Sequence, residues 1–162
     1  MRSLLLALVA LSFVLPACSQ NRKSPHETVN SDNVSVTYGR PAKKGRDIFG
    51  GLVPYGKVWR AGADEATEIT FKKDGSLGGQ PVKAGTYTLF VIPEANEWTI
   101  ILNSQLKQWG AYEYEKHKDK DVLKVTAPVG KTSGTVESFT IRISDGNLIF
   151  EWDDTQVSVP VS

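Results

Sequence analysis

The segment SFTIRISDGNLIFEW at residues 138–152 contains the clearest strand pattern in the chain. Phe139, Ile141 and Ile143 alternate with polar residues, which is the period of a strand with one buried face. Asp145-Gly146 follows, and such a pair is typical of a two-residue hairpin because glycine accepts the positive φ of a primed turn. The stretch therefore predicts two antiparallel strands joined by a tight turn.

Similar runs of Val, Ile, Thr and aromatic residues recur from Asn33 onward, separated by Gly, Pro, Asn and Asp. The predicted strands cover residues 34–38, 67–72, 86–92, 98–102, 122–127, 138–144, 148–152 and 156–161. We find no amphipathic helix pattern and no internal repeat. About eight strands predict an all-β fold, an antiparallel β-sandwich with either jelly-roll or immunoglobulin-like Greek-key connections.

The N-terminus has the three parts of a secretory signal peptide: Arg2, an apolar stretch over residues 4–15, and Ala17. The apolar stretch is too short to span a hydrocarbon core of about 30 Å. The segment Leu15-Pro16-Ala17-Cys18 resembles the lipobox of bacterial lipoproteins, in which the cysteine is lipidated and becomes the first residue. We therefore expect residues 1–17 to be removed and Cys18 to anchor the protein in the bacterial cell envelope, at the periplasmic face or in the outer membrane.

The remaining chain divides into a polar segment and one domain. Residues 18–31 lack apolar periodicity and predict a flexible tether in which His26 is solvated, whereas residues 32–162 have the usual size of one domain. The chain has 19 Lys plus Arg and 18 Asp plus Glu, so loss of Arg2 leaves equal numbers. This balance argues against a nucleic-acid partner and against electrostatic attachment to anionic headgroups.

Residues 39–62 form the segment where we expect function. They hold six of the fourteen glycines and three of the six arginines, and they contain no strand pattern. Loops of this length are usually functional or disordered. Phe49, Tyr55 and Trp59 favour an ordered loop, because their burial offsets the entropy of ordering the glycines.

The arginines of this loop predict a binding site. An arginine fork suits a carboxylate, a phosphate or sugar hydroxyls. Together with nearby aromatic residues, they predict a cation-edged aromatic platform for a glycan or small polar ligand. The candidate ligand-binding residues are Arg40, Arg46, Tyr55, Trp59, Arg60, Asp64, Trp109 and Tyr112. The alternative is that the arginines pin the loop through its carbonyls and carboxylates, while the tryptophans fill the core.

Four segments resemble a known family. They are GRDIFGGLVPYGKVWRAGADEAT at 45–67, AGTYTLFVIP at 84–93, WTIILN at 98–103 and QWGAY at 108–112. They look like the signature of domain-of-unknown-function family 2911, which is common in Bacteroidota. The resemblance covers nearly all of the domain. It implies an exported β-sandwich protein and no particular reaction.

Enzymatic function is the weaker prediction. The domain has one histidine, His117, so neither a Ser–His–Asp triad nor a usual zinc site is evident. No spacing singles out an acid pair for glycoside hydrolysis. We expect no metal and no cofactor, and a binding protein rather than an enzyme. Two alternatives stay open: an envelope hydrolase of glycans or peptides, with two acids converging beside Arg60, and a structural or assembly lipoprotein with an exposed apolar patch.

Overall fold

The computed structural model describes residues 21–162, so Cys18 and the predicted signal peptide lie outside the described residues. Within this range the chain forms nine strands, one short helix and one 3-10 turn. The strands are β1 (His26–Asn30), β2 (Val34–Gly39), β3 (Glu68–Phe71), β4 (Gly75–Leu77), β5 (Gln80–Val82), β6 (Gly85–Pro93), β7 (Glu97–Asn103), β8 (Asp121–Ser144) and β9 (Asn147–Pro160). Helix α1 (Tyr114–His117) is followed by the 3-10 turn (Lys118–Lys120). No helix between residues 21 and 162 is both long enough and apolar enough to cross a membrane.

The strands confirm the all-β, antiparallel prediction. Seven of them form one sheet in the order β1-β2-β3-β6-β7-β8-β9, and β4 pairs with β5 in a separate hairpin. Each strand of the large sheet lies beside its neighbour in the chain once this hairpin is set aside. The architecture is therefore a curled meander, whereas the sequence predicted two packed sheets with jelly-roll or Greek-key order.

The hairpin at Asp145-Gly146 is confirmed. Asp145 has φ 51° and Gly146 has φ 72°, and Ser144 pairs with Asn147 across the turn. Two successive residues with positive φ are what a primed turn requires, and glycine adopts this conformation without steric cost.

The long strand β8 curls the sheet. Its first part pairs with β7 up to Pro128, and the part from Val129 onward pairs with β9. The register shifts between Lys131 and Val136, and again before Thr140. Irregularities of this kind bend a strand and increase its twist. The sequence predicted two strands here, at 122–127 and 138–144, because the polar residues between them interrupt the apolar alternation.

The curl returns β8 to the chain that follows β2. Ala42 forms an isolated antiparallel bridge with Ser138, and Phe139 N–H donates to Pro41 O at 2.9 Å. At the end of β2, a Cβ on Gly39 would lie 2.1 Å from Ala63 O, so glycine is needed where the loop crosses the strand.

An aromatic cluster fills the space inside the curl. Trp59 stacks on Trp152 with ring centroids 6.0 Å apart, and it meets Phe139 at 4.9 Å and Trp98 at 6.1 Å. Phe49 adds a further ring, 5.8 Å from Trp59. The prediction of an ordered loop at 39–62 is confirmed, because two of its aromatic side chains pack into the core shared by β7, β8 and β9.

The first strand lies inside the predicted tether. β1 (His26–Asn30) pairs with β2 along its whole length, and the His26 side chain is 16% exposed. The prediction of a flexible segment is therefore wrong for residues 26–30, and His26 is not solvated. The strand is polar because it lies at the sheet edge, where backbone pairing rather than apolar burial holds it.

We expect the Trp59→Ala variant to lose about 3–5 kcal/mol of unfolding free energy, because the indole fills the centre of the aromatic cluster. The matched control is Tyr112→Ala, whose side chain is 77% exposed, and we expect a change within about 0.5 kcal/mol. Urea unfolding followed by circular dichroism measures both. Equal small losses would contradict the placement of Trp59 in the core.

Candidate functional site

A pocket of about 350 Å³ lies between the loop at residues 39–62, the segment that precedes β1, and β9. Four cationic side chains and one carboxylate line it: Lys23, Lys44, Arg46, Arg60 and Asp64. We call it the cationic pocket. Its volume is within the range of small-molecule sites.

Arg60 is one of three residues in the described range with a buried side-chain polar atom that has no hydrogen-bond partner. Its Nε is buried and has no hydrogen-bond partner among residues 21–162. No ion pair in the same range includes Arg60. An unpaired buried donor costs about 1–3 kcal/mol, more when charged. Arg60 also lines the cationic pocket.

The backbone around Arg60 is fixed on both sides. Trp59 N–H donates to Val91 O at 2.7 Å, and Val91 N–H donates to Trp59 O at 2.9 Å. Arg60 O accepts from Thr67 N–H at 3.1 Å. Since Trp59 is held in the core, the neighbouring Arg60 has a defined position in the pocket wall.

Asp64 lies in the pocket, but its carboxylate is already engaged. Oδ2 accepts hydrogen bonds from Lys23 N–H at 3.1 Å and Ser24 N–H at 3.0 Å. The residue has φ 63°, a conformation that Asp and Asn adopt more readily than most residues. Asp64 therefore fixes the chain before β1 rather than presenting a free carboxylate.

Glu65 fixes the same segment through side chains. It accepts from Arg22, with Nη2 to Oε1 at 2.8 Å, and His26 Nε2 lies 3.0 Å from Oε2, outside hydrogen-bond geometry. Burial alone would raise the pKa of Glu65, but the hydrogen bond and charge of Arg22 outweigh it and lower the pKa below its ordinary value. We call residues 22–26 the N-terminal strap.

Arg40 and Arg46 donate hydrogen bonds that hold the loop in place, which is the role that the alternative interpretation gives them. Arg40 donates to Phe139 O at 3.3 Å and to Thr140 Oγ1 at 3.1 Å, and it pairs with Glu27 at 3.3 Å. Arg46 donates from Nε to Lys43 O at 2.9 Å and from Nη2 to a second carbonyl of its own loop. Arg46 nevertheless lines the cationic pocket, whereas Arg40 does not.

The structure does not bring the remaining aromatic candidates into this pocket. Tyr55 lines a different cavity, and Tyr112 is among the most exposed side chains between residues 21 and 162. Trp109 is half-buried and joins Glu65 through an isolated backbone bridge. Trp59 lies in the core wall of the pocket, so these four residues do not form one exposed platform.

The residues just described lie within one family match. A family model described as a protein of unknown function, DUF2911, matches residues 20–161. The chain belongs to the DUF2911 family. No curated protein and no solved structure matches it. The matched range includes the N-terminal strap, so the DUF2911 domain begins before the boundary at residue 32 that we predicted.

The cavity beside Tyr55 has the opposite charge. It measures about 470 Å³, and four carboxylates line it: Asp47, Glu94, Asp153 and Asp154. Asp153 forms an ion pair with Lys43, and Asp154 forms one with Lys131. The hydrogen bond from Lys131 lowers the pKa of Asp154. Throughout the described part of the DUF2911 domain, no three His, Cys, Asp or Glu residues are grouped as metal ligands.

The two acids expected for an envelope hydrolase do not converge beside Arg60. Among the described residues lining the cationic pocket, Asp64 supplies the one carboxylate, and it already accepts two backbone hydrogen bonds. Acid–base hydrolysis of a glycoside needs a second carboxyl group at a defined separation.

Ten of the fourteen residues that line the pocket were not among the candidates, and four of these ten show where the prediction fell short. Lys23 and Ser24 come from the N-terminal strap, Lys44 from the loop, and Trp152 from β9. The strap residues reach the pocket through contacts that span 40 and 41 positions in the chain. No local sequence pattern reports such contacts. Lys44 lies between two predicted arginines, so its position in the loop was the available signal.

The two hydrogen bonds to Asp64 predict a contrast between two variants. Asp64→Ala removes the acceptor and places alanine at positive φ, so we expect a loss of about 1–3 kcal/mol and faster trypsin cleavage after Arg22 and Lys23. Asp64→Asn keeps a side-chain oxygen and tolerates this φ, so its cleavage rate stays near that of the parent. Equal rates for the parent and the alanine variant would refute the strap.

Proposed function

We propose that this DUF2911 protein is a lipid-anchored protein of the bacterial cell envelope that binds a small anion, or an acidic group of a glycan, in the cationic pocket. The observation that carries the proposal is the buried Nε of Arg60, which has no partner within residues 21–162. An anionic oxygen at this atom completes a charge-assisted hydrogen bond, which is stronger than a neutral one.

The other cations support an anionic rather than a neutral ligand. Lys23, Lys44 and Arg46 surround the pocket, and Asp64 is the carboxylate that opposes them. The excess of positive charge raises the local concentration of anions and increases their association rate. Carboxylate, phosphate and sulfate groups share this chemistry.

The core tryptophans favour binding without a large rearrangement. Trp59 and Trp152 line the inner wall, are each at most 9% exposed, and stack on one another. A rigid wall keeps Arg60 in place before the ligand arrives, which reduces the entropic cost of binding.

The alternative of a structural or assembly lipoprotein receives less support. It requires a buried loop, but residues 39–62 line two open cavities. The exposed large apolar side chains of the described range are Leu52, Tyr55, Tyr112 and Val122. They come from three separate parts of the chain, and scattered apolar residues of this kind are normal on a protein surface.

The envelope location rests on the sequence at Cys18. A signal peptide that ends in a lipobox-like segment leaves this cysteine at the start of the mature chain, with no second cysteine for a disulfide. The two or three acyl chains of a bacterial lipoprotein provide stable attachment, because each buried CH₂ contributes about 0.8 kcal/mol.

We expect Arg60→Ala to weaken anion binding by about tenfold or more, because a hydrogen bond to a charged group contributes about 1.5–3 kcal/mol. Calorimetric titration with inorganic phosphate, glycerol phosphate, glucuronate and neutral glucose gives the affinities. The matched control is Arg142→Ala, an arginine paired with Glu151 on β8 and β9. A parent protein that binds none of the anions, or an Arg60 variant with unchanged affinity and melting temperature, would refute the anion site.

For the anchor, we expect Cys18→Ser to abolish partitioning into the detergent phase of a Triton X-114 extraction, because the acyl chains have no attachment point. Mass spectrometry of the parent then shows a lipidated N-terminal cysteine. An unmodified thiol in the parent, or equal partitioning of the two proteins, would exclude lipid anchoring.

A further inference from the structure

The N-terminal strap sets how far the cationic pocket can lie from Cys18. Arg22 is bound to Glu65, and Lys23 and Ser24 are bound to Asp64. Cys18 lies four positions before Arg22 in the sequence. An extended chain covers at most about 3.6 Å per residue, so this link reaches about 14 Å. A free tether up to residue 31 would reach about 47 Å.

The strap is also part of the pocket wall. Lys23 and Ser24 line it together with Arg60. The chain therefore continues toward Cys18 directly from residues that line the pocket. If Cys18 carries acyl chains, the bilayer surface lies within the short reach of this link. A headgroup layer is about 5–8 Å thick, which is less than that reach.

We infer that the anion bound beside Arg60 is the phosphate of a membrane-lipid headgroup, an inference that rests on the proposed anion site. The phosphate oxygens accept from Arg60, and Lys44 and Lys23 lie around the same pocket. Basic residues next to a membrane are attracted by anionic lipids, and each one adds to the attraction. The equal totals of charged residues in the mature chain do not oppose this, because the charges are unevenly distributed. Four cations and one carboxylate line the cationic pocket, whereas four carboxylates and one lysine line the cavity beside Tyr55.

The exposed side chain of Leu52 favours a lipid over a soluble phosphate as the ligand. It lines the cationic pocket, yet its side chain is 46% exposed. Leu52 N–H donates to Asp47 O at 2.9 Å, and Val53 N–H donates to Ile48 O at 2.9 Å, so the tip that carries Leu52 is held in place. A free phosphate leaves this side chain in water. A headgroup with its glycerol and upper acyl carbons covers it, which removes apolar surface from water.

The test uses residues 18–162 with Cys18→Ser, which retain every described strand and contact. Co-sedimentation compares vesicles of phosphatidylcholine that contain phosphatidylglycerol with vesicles of phosphatidylcholine alone. Calorimetry with glycerol phosphate measures binding of the soluble headgroup fragment. The variants are Arg60→Ala, Leu52→Ser and the control Arg142→Ala, each checked by its melting temperature.

We expect the parent and Arg142→Ala to bind phosphatidylglycerol vesicles. We expect the vesicle affinity of Arg60→Ala to be lower than that of the parent by about tenfold or more. We expect Leu52→Ser to lose about tenfold in vesicle affinity while keeping its affinity for glycerol phosphate. Binding of glycerol phosphate without vesicle binding would overturn the lipid assignment and leave the anion site intact. Vesicle binding that Arg60→Ala does not weaken would place the contact elsewhere. A parent that binds neither probe would refute both proposals.

Discussion

Burial of Trp59 in the core holds the loop at residues 39–62 against the sheet and positions the cationic pocket beside it. Its indole lies among rings contributed by β7, β8 and β9, and it can reach them only if residues 39–62 fold over the open side of the curled sheet. The backbone pairing of Trp59 with Val91 ties this loop to β6. Arg60 follows directly and enters the pocket wall. The burial of one aromatic side chain thus sets the position of the cation next to it.

The strands were predictable where local chemistry alone defines them. The Asp145-Gly146 turn and the alternation in residues 138–144 depend on neighbours within a few positions, and both are found. Two features required contacts that local patterns do not contain. β1 is polar and is held by its backbone bonds to β2, and β8 continues through irregular positions where the sequence lacks apolar alternation. The meander order was also not predictable, because a sequence pattern identifies the partner of a strand only where a tight turn joins the two strands.

The candidate site likewise has features that the local sequence predicts and features that it does not. Arg46, Trp59, Arg60 and Asp64 are close in sequence and meet in one pocket. The role of each of these residues was harder to predict from the sequence. The Asp64 carboxylate serves the backbone of residues 23 and 24, and Arg40 is fixed to β8 about a hundred positions away. In an arginine-rich loop, some cations hold the chain and others keep an unsatisfied donor. Only the three-dimensional contacts distinguish these two roles.

The meander also determines when the pocket can exist. Most strands of the large sheet pair with a neighbour reached through a short connection, so the hairpins can assemble in turn along the chain. The contacts that close the curl join positions 99 and 100 residues apart, and long closures of this kind carry the largest entropic cost. Trp152 belongs to β9, the last strand. A chain folded only through β7 has partners for most of its sheet but lacks Trp152 in the pocket wall, so the pocket is complete only when the last strand has joined the sheet.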